Sequence, residues 1–433
     1  MSKIHTIAQF VKKHIGSAFV MNSGWIVAER VYQMALSLVI SILTARYLGP
    51  DNMGIITYAA TFVAAFMPIA LLSLEYVAIK EIVRAPEKTG EVLGSGIAMR
   101  TVSGFLCFLL IVGIVAILKP NNVEYVTVAA LNAVSLLFYS FTLVESWLQA
   151  HLRSKYATII KAIAYTVMSL YKVFLLVTNK SVLWFAFATS LDIIIIALLY
   201  IYLYFGRQKQ KMTISRVMMK GLLVQSYPFI LSGLMVVAYG RLDRVILEQY
   251  HGANALGQYG VGATLCYMWQ FIPAAIITSA RPLILKARDS NSENYLRRLK
   301  QLYSFIWWLS ILVAIVFTIS GTWLVNIMYG SAYAESAIAL KIITWSQGFS
   351  LMAGVRTIWL IAEDKNKFLI PCQAISAVFS IILYMVLIPP FGIIGASVST
   401  LISQFFVAFV STAFFEKTRM SGKYMLDAIM MRF

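Results

Sequence analysis

The sequence predicts an all-α polytopic membrane protein. Of its 433 residues, 60% are hydrophobic and 12% are charged, whereas a soluble domain carries about twice that charged fraction. The apolar residues form runs close to the roughly 20 residues that a helix needs to cross a bilayer core. Nine Lys and Arg residues lie inside these runs. Because charge is costly in lipid, their positions indicate a polar interior.

The apolar runs predict about twelve membrane-spanning helices. Three lysines precede the first run, which continues without a small-residue cleavage site, so we interpret it as an uncleaved helix. The approximate limits of the spans are 17–43, 54–79, 95–118, 123–149, 157–177, 182–205, 222–247, 257–283, 302–328, 335–361, 368–388 and 391–415.

The distribution of Lys and Arg over the connections predicts the orientation of the chain. One set of connections carries 24 of these residues and the opposite set carries 3. Cytoplasmic loops hold the excess of Lys and Arg in membrane proteins, so both termini are expected in the cytoplasm. The basic set is the N-terminus, 80–94, 150–156, 206–221, 284–301, 362–367 and the C-terminus from Glu416.

An internal repeat predicts how the spans are grouped. The longest polar connection, 206–221, is either an ordinary basic loop or a linker between two halves, and the repeat favours a linker. Five residues recur at an offset of 203 positions: Tyr47, Gly49, Gly54, Ala60 and Thr61 match Tyr250, Gly252, Gly257, Ala263 and Thr264.

Two six-helix lobes follow from this grouping. We predict an N-terminal lobe (1–205), a basic cytoplasmic linker (206–221) and a C-terminal lobe with a basic cytoplasmic tail (222–433). The offset spans an even number of helices, so the lobes would be related by a pseudo-twofold axis along the membrane normal. A binding site is then expected in a central cavity between them.

The nine intramembrane bases predict that this cavity is cationic and binds an anion. They are Arg30, Arg100, Lys161, Lys172, Arg241, Arg244, Arg281, Lys341 and Arg356. Arg100 and Arg281 lie close enough to the cytoplasmic side to snorkel to the interface. Arg244 has an alternative as the partner of its neighbour Asp243. The candidate substrate-binding residues are therefore Arg30, Lys161, Lys172, Arg241, Lys341 and Arg356.

Helical spacing places several of these bases on shared faces. Lys161, Tyr165, Met168 and Lys172 follow one stripe of the fifth span, with the lysines about 16 Å apart along the axis. The stripe predicts a water-filled wall, with snorkelling as the alternative. On the tenth span, Lys341, Trp345, Gly348, Met352 and Arg356 occupy one broad face.

Five intramembrane acids offset only part of this charge: Glu29, Glu75, Glu145, Asp192 and Asp243. A net positive interior argues against a cavity for cationic compounds. Asp243 and Glu145 are candidates for binding a coupling proton or sodium ion. A buried ion pair of Asp243 with Arg241 or Arg244, and a salt bridge of Arg30 to an acid on another helix, remain alternatives.

Several kinds of chemistry have no signature in the chain. It contains no Gly-x-x-x-x-Gly-Lys-Ser/Thr phosphate loop, and its four histidines and three cysteines show no metal-ligand or nucleophile spacing. No cofactor, metal site or enzymatic activity is expected. The formal net charge of +18 lies in connections and apolar spans, so nucleic acid is not an expected partner.

Three segments resemble one family of membrane proteins. Leu43-Thr-Ala-Arg-Tyr-Leu-Gly-Pro50, Tyr239-Gly-Arg-Leu-Asp-Arg-Val-Ile-Leu247 and Leu387-Ile-Pro-Pro-Phe-Gly-Ile-Ile-Gly-Ala396 are similar, in order and spacing, to motifs of the Wzx-type O-antigen or capsule flippases. This family belongs to the superfamily that also holds multidrug and lipid II exporters. By this resemblance, Arg241 and Asp243 stand at positions of the family's seventh-helix motif.

The resemblance implies an architecture, a cargo and a location. It implies two six-helix lobes around a V-shaped cavity in a bacterial inner membrane. The implied cargo is an undecaprenyl-diphosphate-linked oligosaccharide, moved from the cytoplasmic to the outer leaflet by alternating access. Because the chain has no phosphate loop, the expected driving force is an ion gradient or the membrane potential. The implied partners are this lipid-linked oligosaccharide, membrane lipids and other membrane proteins of polysaccharide assembly. Two alternatives remain: an antiporter of small cations on the same fold, and a membrane glycan polymerase or transferase.

Overall fold

The computed structural model describes residues 18–207, 211–290 and 292–432, and within them it contains helices and no strand. Lys3, Lys12 and Lys13, and positions 208–210 of the predicted linker, lie outside the described residues. The α-helices are α1 (Ala18–Ala70), α2 (Glu75–Arg84), α3 (Thr89–Leu118), α4 (Val123–Ala133), α5 (Ser135–Phe138), α6 (Val144–Ala150), α7 (Ser154–Val177), α8 (Val182–Arg207), α9 (Arg216–Met268), α10 (Phe271–Ser290), α11 (Ser292–Tyr329), α12 (Ser336–Ala362), α13 (Leu369–Phe405), α14 (Ser411–Ala413) and α15 (Glu416–Ile429).

Nine helical stretches in the described part of the chain are long and apolar enough to cross a membrane. The three longest have 58, 53 and 48 residues, well above the roughly 20 that one crossing requires. The prediction of an all-α polytopic membrane chain is therefore confirmed. The stretches are Val27–Arg84, Pro86–Leu118, Val123–Ala150, Ser154–Val177, Val182–Gly206, Arg216–Met268, Asn294–Tyr329, Ser336–Ala362 and Asn366–Ala413.

A glycine leaves the helical conformation inside each of the three longest stretches. Gly49 has φ 73° and Gly252 has φ 77°, both with an extended ψ, and Gly392 has φ 51°. Positive φ strains residues that carry a Cβ, so glycine is the residue that permits these kinks. Each kink falls at or next to a predicted outer turn between two spans.

Two predicted spans are interrupted where hydropathy gives no sign of a break. Within predicted span 54–79, α1 ends at Ala70 and α2 begins at Glu75. Arg100 Nε donates to the Leu71 carbonyl (2.8 Å) and Ser103 Oγ donates to the Ile69 carbonyl (2.8 Å), so neighbouring side chains satisfy the freed backbone. Within predicted span 257–283, α9 ends at Met268 and α10 begins at Phe271.

Packing divides the chain into two compact units. The first comprises Met1–Thr44 and Phe66–Ile230, and the second comprises Ala45–Ala65 and Leu231–Phe433. This division differs from the predicted lobes because the segment that follows the first span packs with the second unit. The core of the first unit includes Trp147 and Tyr204, whose rings meet edge-on with centroids 5.4 Å apart.

One hydrophobic core of the second unit lies between α10, α11, α12 and α15. Tyr303, Met352 and Met425 are completely buried in it. The predicted basic tail therefore includes a docked helix, α15, and Lys300 on α11 forms an ion pair with Asp427 at its end (2.8 Å).

The repeated glycine segments pack against each other inside the second unit. A Cβ on Gly54 would overlap the Ala253 carbonyl, and a Cβ on Gly257 would overlap the Pro50 carbonyl. Gly54 corresponds to Gly257 and Pro50 to Ala253 at the offset of 203. The two contacts are therefore equivalent, because exchanging the repeats converts one into the other. Asp51 and Asn254, also equivalent at this offset, form a hydrogen bond of 3.1 Å. This local two-fold arrangement is what an internal repeat predicts.

Candidate functional site

Glu145 is the centre of a polar cluster within the first unit. Its carboxylate accepts hydrogen bonds from Lys161 (2.7 Å), Tyr200 (3.1 Å) and Gln149 (3.2 Å). The residue lies in the first turn of α6, which continues directly from the 3-10 helix Tyr139–Leu143. Lys161 and Glu145 are 21% and 22% exposed. The ammonium group is thus held by one acid and remains partly accessible to another anion.

The rest of the predicted α7 stripe faces a second acid. Lys161, Tyr165 and Lys172 are all partly buried, and Met168 between them is fully packed. The charge of Lys172 acts on Asp192 of α8, whose Oδ1 has no hydrogen-bond partner among the described residues. The stripe therefore exists, but each of its lysines faces a carboxylate. An uncompensated cationic wall is not what the structure contains here.

Glu29 and Arg30 are adjacent on α1 and point in different directions. Glu29 is 5% exposed and Arg30 is exposed. The charges of both residues interact electrostatically with Tyr165 of α7, and so does the charge of Glu145. No ion pair engages Arg30 within the described residues, so the salt-bridge alternative for this residue has no support.

Asp243 is the centre of a second polar cluster, within the second unit. It is 3% exposed, and its Oδ2 accepts hydrogen bonds from the hydroxyls of Tyr259 and, at 3.4 Å, Thr400. The two hydroxyls also contact each other at 3.1 Å. Its Oδ1 has no hydrogen-bond partner in the part of the chain that the structure describes.

Arg241 and Arg244 lie near Asp243 without forming an ion pair with it. Both are partly buried, and their charges act on the carboxylate. Within the described ranges no bridge of ion-pair length joins either arginine to Asp243, and Arg244 Nε is buried without a hydrogen-bond partner. The structure therefore shows no closed Arg–Asp ion pair among these residues, although both positive charges act on the carboxylate.

Arg356 corrects one predicted lining residue. It is 3% exposed, and its Nη1 donates to the carbonyls of Val407 (2.6 Å) and Ala408 (3.3 Å) and to Ser411 Oγ (3.2 Å). The carbonyls belong to a π-helical turn, Phe406–Val410, whose widened hydrogen-bond pattern leaves them able to accept. The guanidinium stabilises this turn inside the second unit rather than lining an open surface.

The predicted α12 stripe is a packing face against α11. Gly348 lies against the Trp307 ring, the Trp345 indole donates to Thr318 (3.0 Å), and the stem of Lys341 lies over Gly321. Small residues permit such close contact between helices in a membrane. Lys341 is only partly buried and Trp345 is 37% exposed, so α11 covers this stripe in part.

Arg100 is not a snorkelling residue. It is fully buried, donates to the Leu71 carbonyl and forms an ion pair of 2.7 Å with Glu75, which is why the break after α1 is tolerated. Arg281, the other residue predicted near the interface, is exposed on α10.

Sequence reasoning missed the hydroxyl groups that hold both acids. Tyr200 donates to Glu145, and Tyr259 and Thr400 donate to Asp243. Apolar runs rich in tyrosine gave no signal that would single out these three. The described part of the chain contains no group of His, Cys, Asp or Glu that could hold a metal ion.

Known proteins match this chain in part or along most of its length. The family described as polysaccharide biosynthesis protein matches residues 19–288. The probable flippase AglR of Haloferax volcanii is 26% identical over 179 residues, or 40% of this chain and 37% of that protein. The uncharacterized membrane protein MJ1068 of Methanocaldococcus jannaschii is 23% identical over 201 residues, or 46% of this chain and 39% of that protein. The chain thus spans less than half the length of either curated relative.

Two solved structures share the fold. An inward-facing multidrug resistance transporter of the MATE family in the MOP superfamily aligns with a TM-score of 0.71 at 13% identity, over 91% of this chain and 96% of that one. The lipid II flippase MurJ in an inward closed conformation aligns with the same score at 14% identity, over 95% and 91%. The chain is a multi-pass membrane protein with this fold. Because the family match spans more than half of its length, it belongs to the family of polysaccharide biosynthesis proteins, as its three motifs indicated.

Proposed function

We propose that the protein is a flippase that carries a lipid-linked oligosaccharide from the cytoplasmic to the outer leaflet by alternating access. Family membership supports this assignment, as does the description of one relative as a probable flippase. The cargo proposed is an undecaprenyl-diphosphate-linked repeat unit of O-antigen or capsule in a bacterial inner membrane. Its polyprenyl tail can stay in lipid while its anionic head crosses a polar path.

The proposed architecture has twelve spans in two six-helix lobes with both termini in the cytoplasm. The kinks at Gly49, Gly252 and Gly392 support it, because each would turn one long helical stretch into two crossings. The lobe limits proposed from the sequence are 1–205 and 222–433, joined by the basic linker 206–221. The mutual packing of the repeated glycine segments supports the pseudo-twofold axis.

The observation that carries the proposal is the accessibility of basic side chains inside apolar helices of a polysaccharide-family protein. Lys161 is partly exposed and shares one acid, and Arg241 is partly buried without an ion pair in the described residues. A diphosphate can displace the bond between Lys161 and Glu145 and engage two nitrogens of a guanidinium. Arg30 and Lys172 are proposed as further contacts, whereas Arg356 and Lys341 are not.

Glu145 and Asp243 are proposed to couple transport to an ion gradient. Glu145 would lose its lysine partner when cargo binds, and it is then open to a proton or sodium ion. Asp243 has one unpartnered carboxylate oxygen close to the charges of Arg241 and Arg244. Neither acid belongs to a multi-ligand metal cluster among the described residues.

A complementation experiment tests the transport proposal. In a host lacking the gene, Lys161→Met and Arg241→Met are expected to lower surface polysaccharide at least about tenfold, since a lost charge-assisted hydrogen bond is worth about 1.5–3 kcal/mol. Arg281→Met is the control, because Arg281 is exposed and basic but lies outside the proposed site. Unchanged output from both test variants, at normal membrane expression, would contradict the cationic site.

The deletion itself tests the cargo. Loss of a flippase is expected to accumulate the lipid-linked oligosaccharide in the cytoplasmic leaflet, and mass spectrometry of the extracted lipid would identify its sugars. The shared fold with the MATE-family structure keeps one second candidate, an antiporter of small cations. Altered drug resistance with normal glycolipid would favour that candidate. An essential outer-face carboxylate or histidine would instead favour a glycan polymerase or transferase.

A further inference from the structure

A pocket of about 180 Å³ opens at one end of the second unit, apart from the residues proposed to bind cargo. It lies between the end of α10, the beginning of α11, the end of α12 and the docked helix α15. Its lining includes Arg288, Tyr295, Trp359, Glu363, Lys365 and Tyr424. One water needs roughly 10–15 Å³ on this scale, so the pocket has room for a polar headgroup.

Cations outnumber acids in the lining. Arg288 Nε binds Glu363 (3.0 Å), and this arginine is 42% exposed, so its terminal nitrogens remain accessible. The Lys365 ammonium lies over the Trp359 ring, 4.4 Å from its centroid, and forms no ion pair within the described residues. Two bases against one acid leave the pocket with a net positive charge that selects anions.

Aromatic side chains form the rest of the wall. The rings of Trp359 and Tyr424 meet edge-on with centroids 6.4 Å apart, and Arg288 lies 5.8 Å from the Tyr295 centroid. Burial, and secondarily the charge of Glu363, raises the pKa of the Tyr424 hydroxyl above its usual value, so it remains a neutral donor at physiological pH. Tyr and Trp are the residues enriched at the headgroup level of membranes.

The pocket lies where apolar sequence gives way to charged sequence. The apolar stretch of α12 ends at Ala362, directly before Glu363 and Lys365, and the stretch of α11 begins at Asn294, next to Tyr295. The segments 284–301, 362–367 and 416–433 contain eleven Lys and Arg against six Asp and Glu. In the orientation proposed above, this is the cytoplasmic membrane surface, where basic pockets between helices bind anionic headgroups.

We propose that this pocket binds the headgroup of an anionic phospholipid from the cytoplasmic leaflet. The terminal nitrogens of Arg288 and the ammonium of Lys365 hold the phosphate, and the acyl chains remain in the bilayer beside α11. Tyr424 belongs to α15, so the bound lipid connects the C-terminal helix to α10 and α12. The site does not depend on which cargo the protein carries.

Native mass spectrometry of the full chain, released from nanodiscs of phosphatidylcholine and phosphatidylglycerol, tests the proposal. The wild type is expected to retain phosphatidylglycerol preferentially. Arg288→Gln and Lys365→Gln are each expected to weaken retention about fivefold, whereas Lys365→Arg keeps it. The control is Arg297→Gln with Arg298→Gln, which removes two exposed charges from the same end of α11 that do not line the pocket. Equal losses in control and pocket variants would show unspecific surface attraction and overturn the site.

The source of the phosphate is tested separately. The detergent-purified protein is titrated with inorganic phosphate alone and with short-chain phosphatidylglycerol, and protection of α15 from proteolysis is measured. Protection by the lipid that is lost in Lys365→Gln is the expected result. Equal protection by inorganic phosphate would overturn the lipid assignment, and no protection by either would overturn the link to α15. Polysaccharide output is not a readout here, so either failure is separate from a failure of the transport proposal.

Discussion

Two charged clusters, one in each unit, are held in different ways. In the first unit, Lys161 and Glu145 form an ion pair in which each partner is more than a fifth exposed. In the second unit, Arg356 and Asp243 are each 3% exposed and are held by backbone carbonyls and hydroxyls instead of by an opposite charge. Charged residues in apolar stretches are therefore of two kinds, which their flanking sequence does not distinguish. One kind can exchange its partner for a ligand, and the other stabilises a packed interior.

This comparison follows from how much of each charged group the protein itself covers. A partly exposed ion pair contributes little to stability, about 0–1 kcal/mol, so it can open at small cost. A buried charge whose partners are removed costs several kcal/mol. The difference separates residues suited to binding from residues suited to structure, although both stand out equally in the sequence.

The largest expected effect is that of Arg356→Ala. The change leaves the carbonyls of Val407 and Ala408 without their donor and opens a cavity, so we expect a loss of roughly 3 kcal/mol of unfolding free energy. Lys161→Ala is the matched comparison and should lose less than about 1 kcal/mol. Thermal unfolding of the detergent-solubilised variants, followed by tryptophan fluorescence, measures both. Equal stability of the two variants would contradict the distinction between a structural Arg356 and an exchangeable Lys161.

A smaller difference is expected between two tyrosine variants. Tyr259→Phe leaves Asp243 with Thr400 as its remaining side-chain donor, and we expect a loss of about 1–3 kcal/mol because the acceptor is buried. Tyr200→Phe leaves Glu145 with both Lys161 and Gln149, and should cost less than about 1 kcal/mol. The same unfolding assay compares them. A greater loss from Tyr200→Phe would place the structural acid in the first unit instead.

A double-mutant cycle sharpens the assignment of Lys161 and Glu145. Each single change, Lys161→Met and Glu145→Gln, is expected to lower polysaccharide output, and the pair should couple by about 0.5–1 kcal/mol in stability. If the pair is purely structural, the double variant regains output along with stability. Output that stays low in the double variant supports the role of these residues in transport.

The smallest expected effect on stability is that of Arg30→Gln. Arg30 is exposed and has no ion pair in the described residues, so the unfolding free energy should change by less than about 0.5 kcal/mol. Polysaccharide output should nevertheless fall if Arg30 contacts the anionic head of the cargo. Stability and output that are both unchanged would remove Arg30 from the candidate site.

Local pattern was enough to find some features of the site. The period of a helix places Lys161 and Lys172 on one face, and the structure keeps both on that face. The same reasoning failed on α12, where Trp345 and Gly348 pack against Thr318 and Trp307 of α11. Periodicity identifies a distinct face of a helix, but it does not tell whether water or another helix covers that face.

The sequence by itself determined the class of the protein, because hydropathy and helix length are local properties. Two of the kinks also lie in predicted connections between spans, at Gly49 and Gly252, which tolerate positive φ and recur at one offset. The internal repeat was visible for a related reason, because both turns place glycine where φ is positive.

Only the tertiary structure decided which charges are paired, buried or accessible. Asp243 meets Thr400 across 157 positions, and Arg356 meets Val407 across 51. Glu145 lies 16 positions from Lys161 but 55 from Tyr200. The environment of a charge in a helix depends on neighbouring helices, and a span of apolar residues does not encode which helix lies beside it. Burial and partner are therefore long-range properties, and they separate the binding candidates from the structural ones.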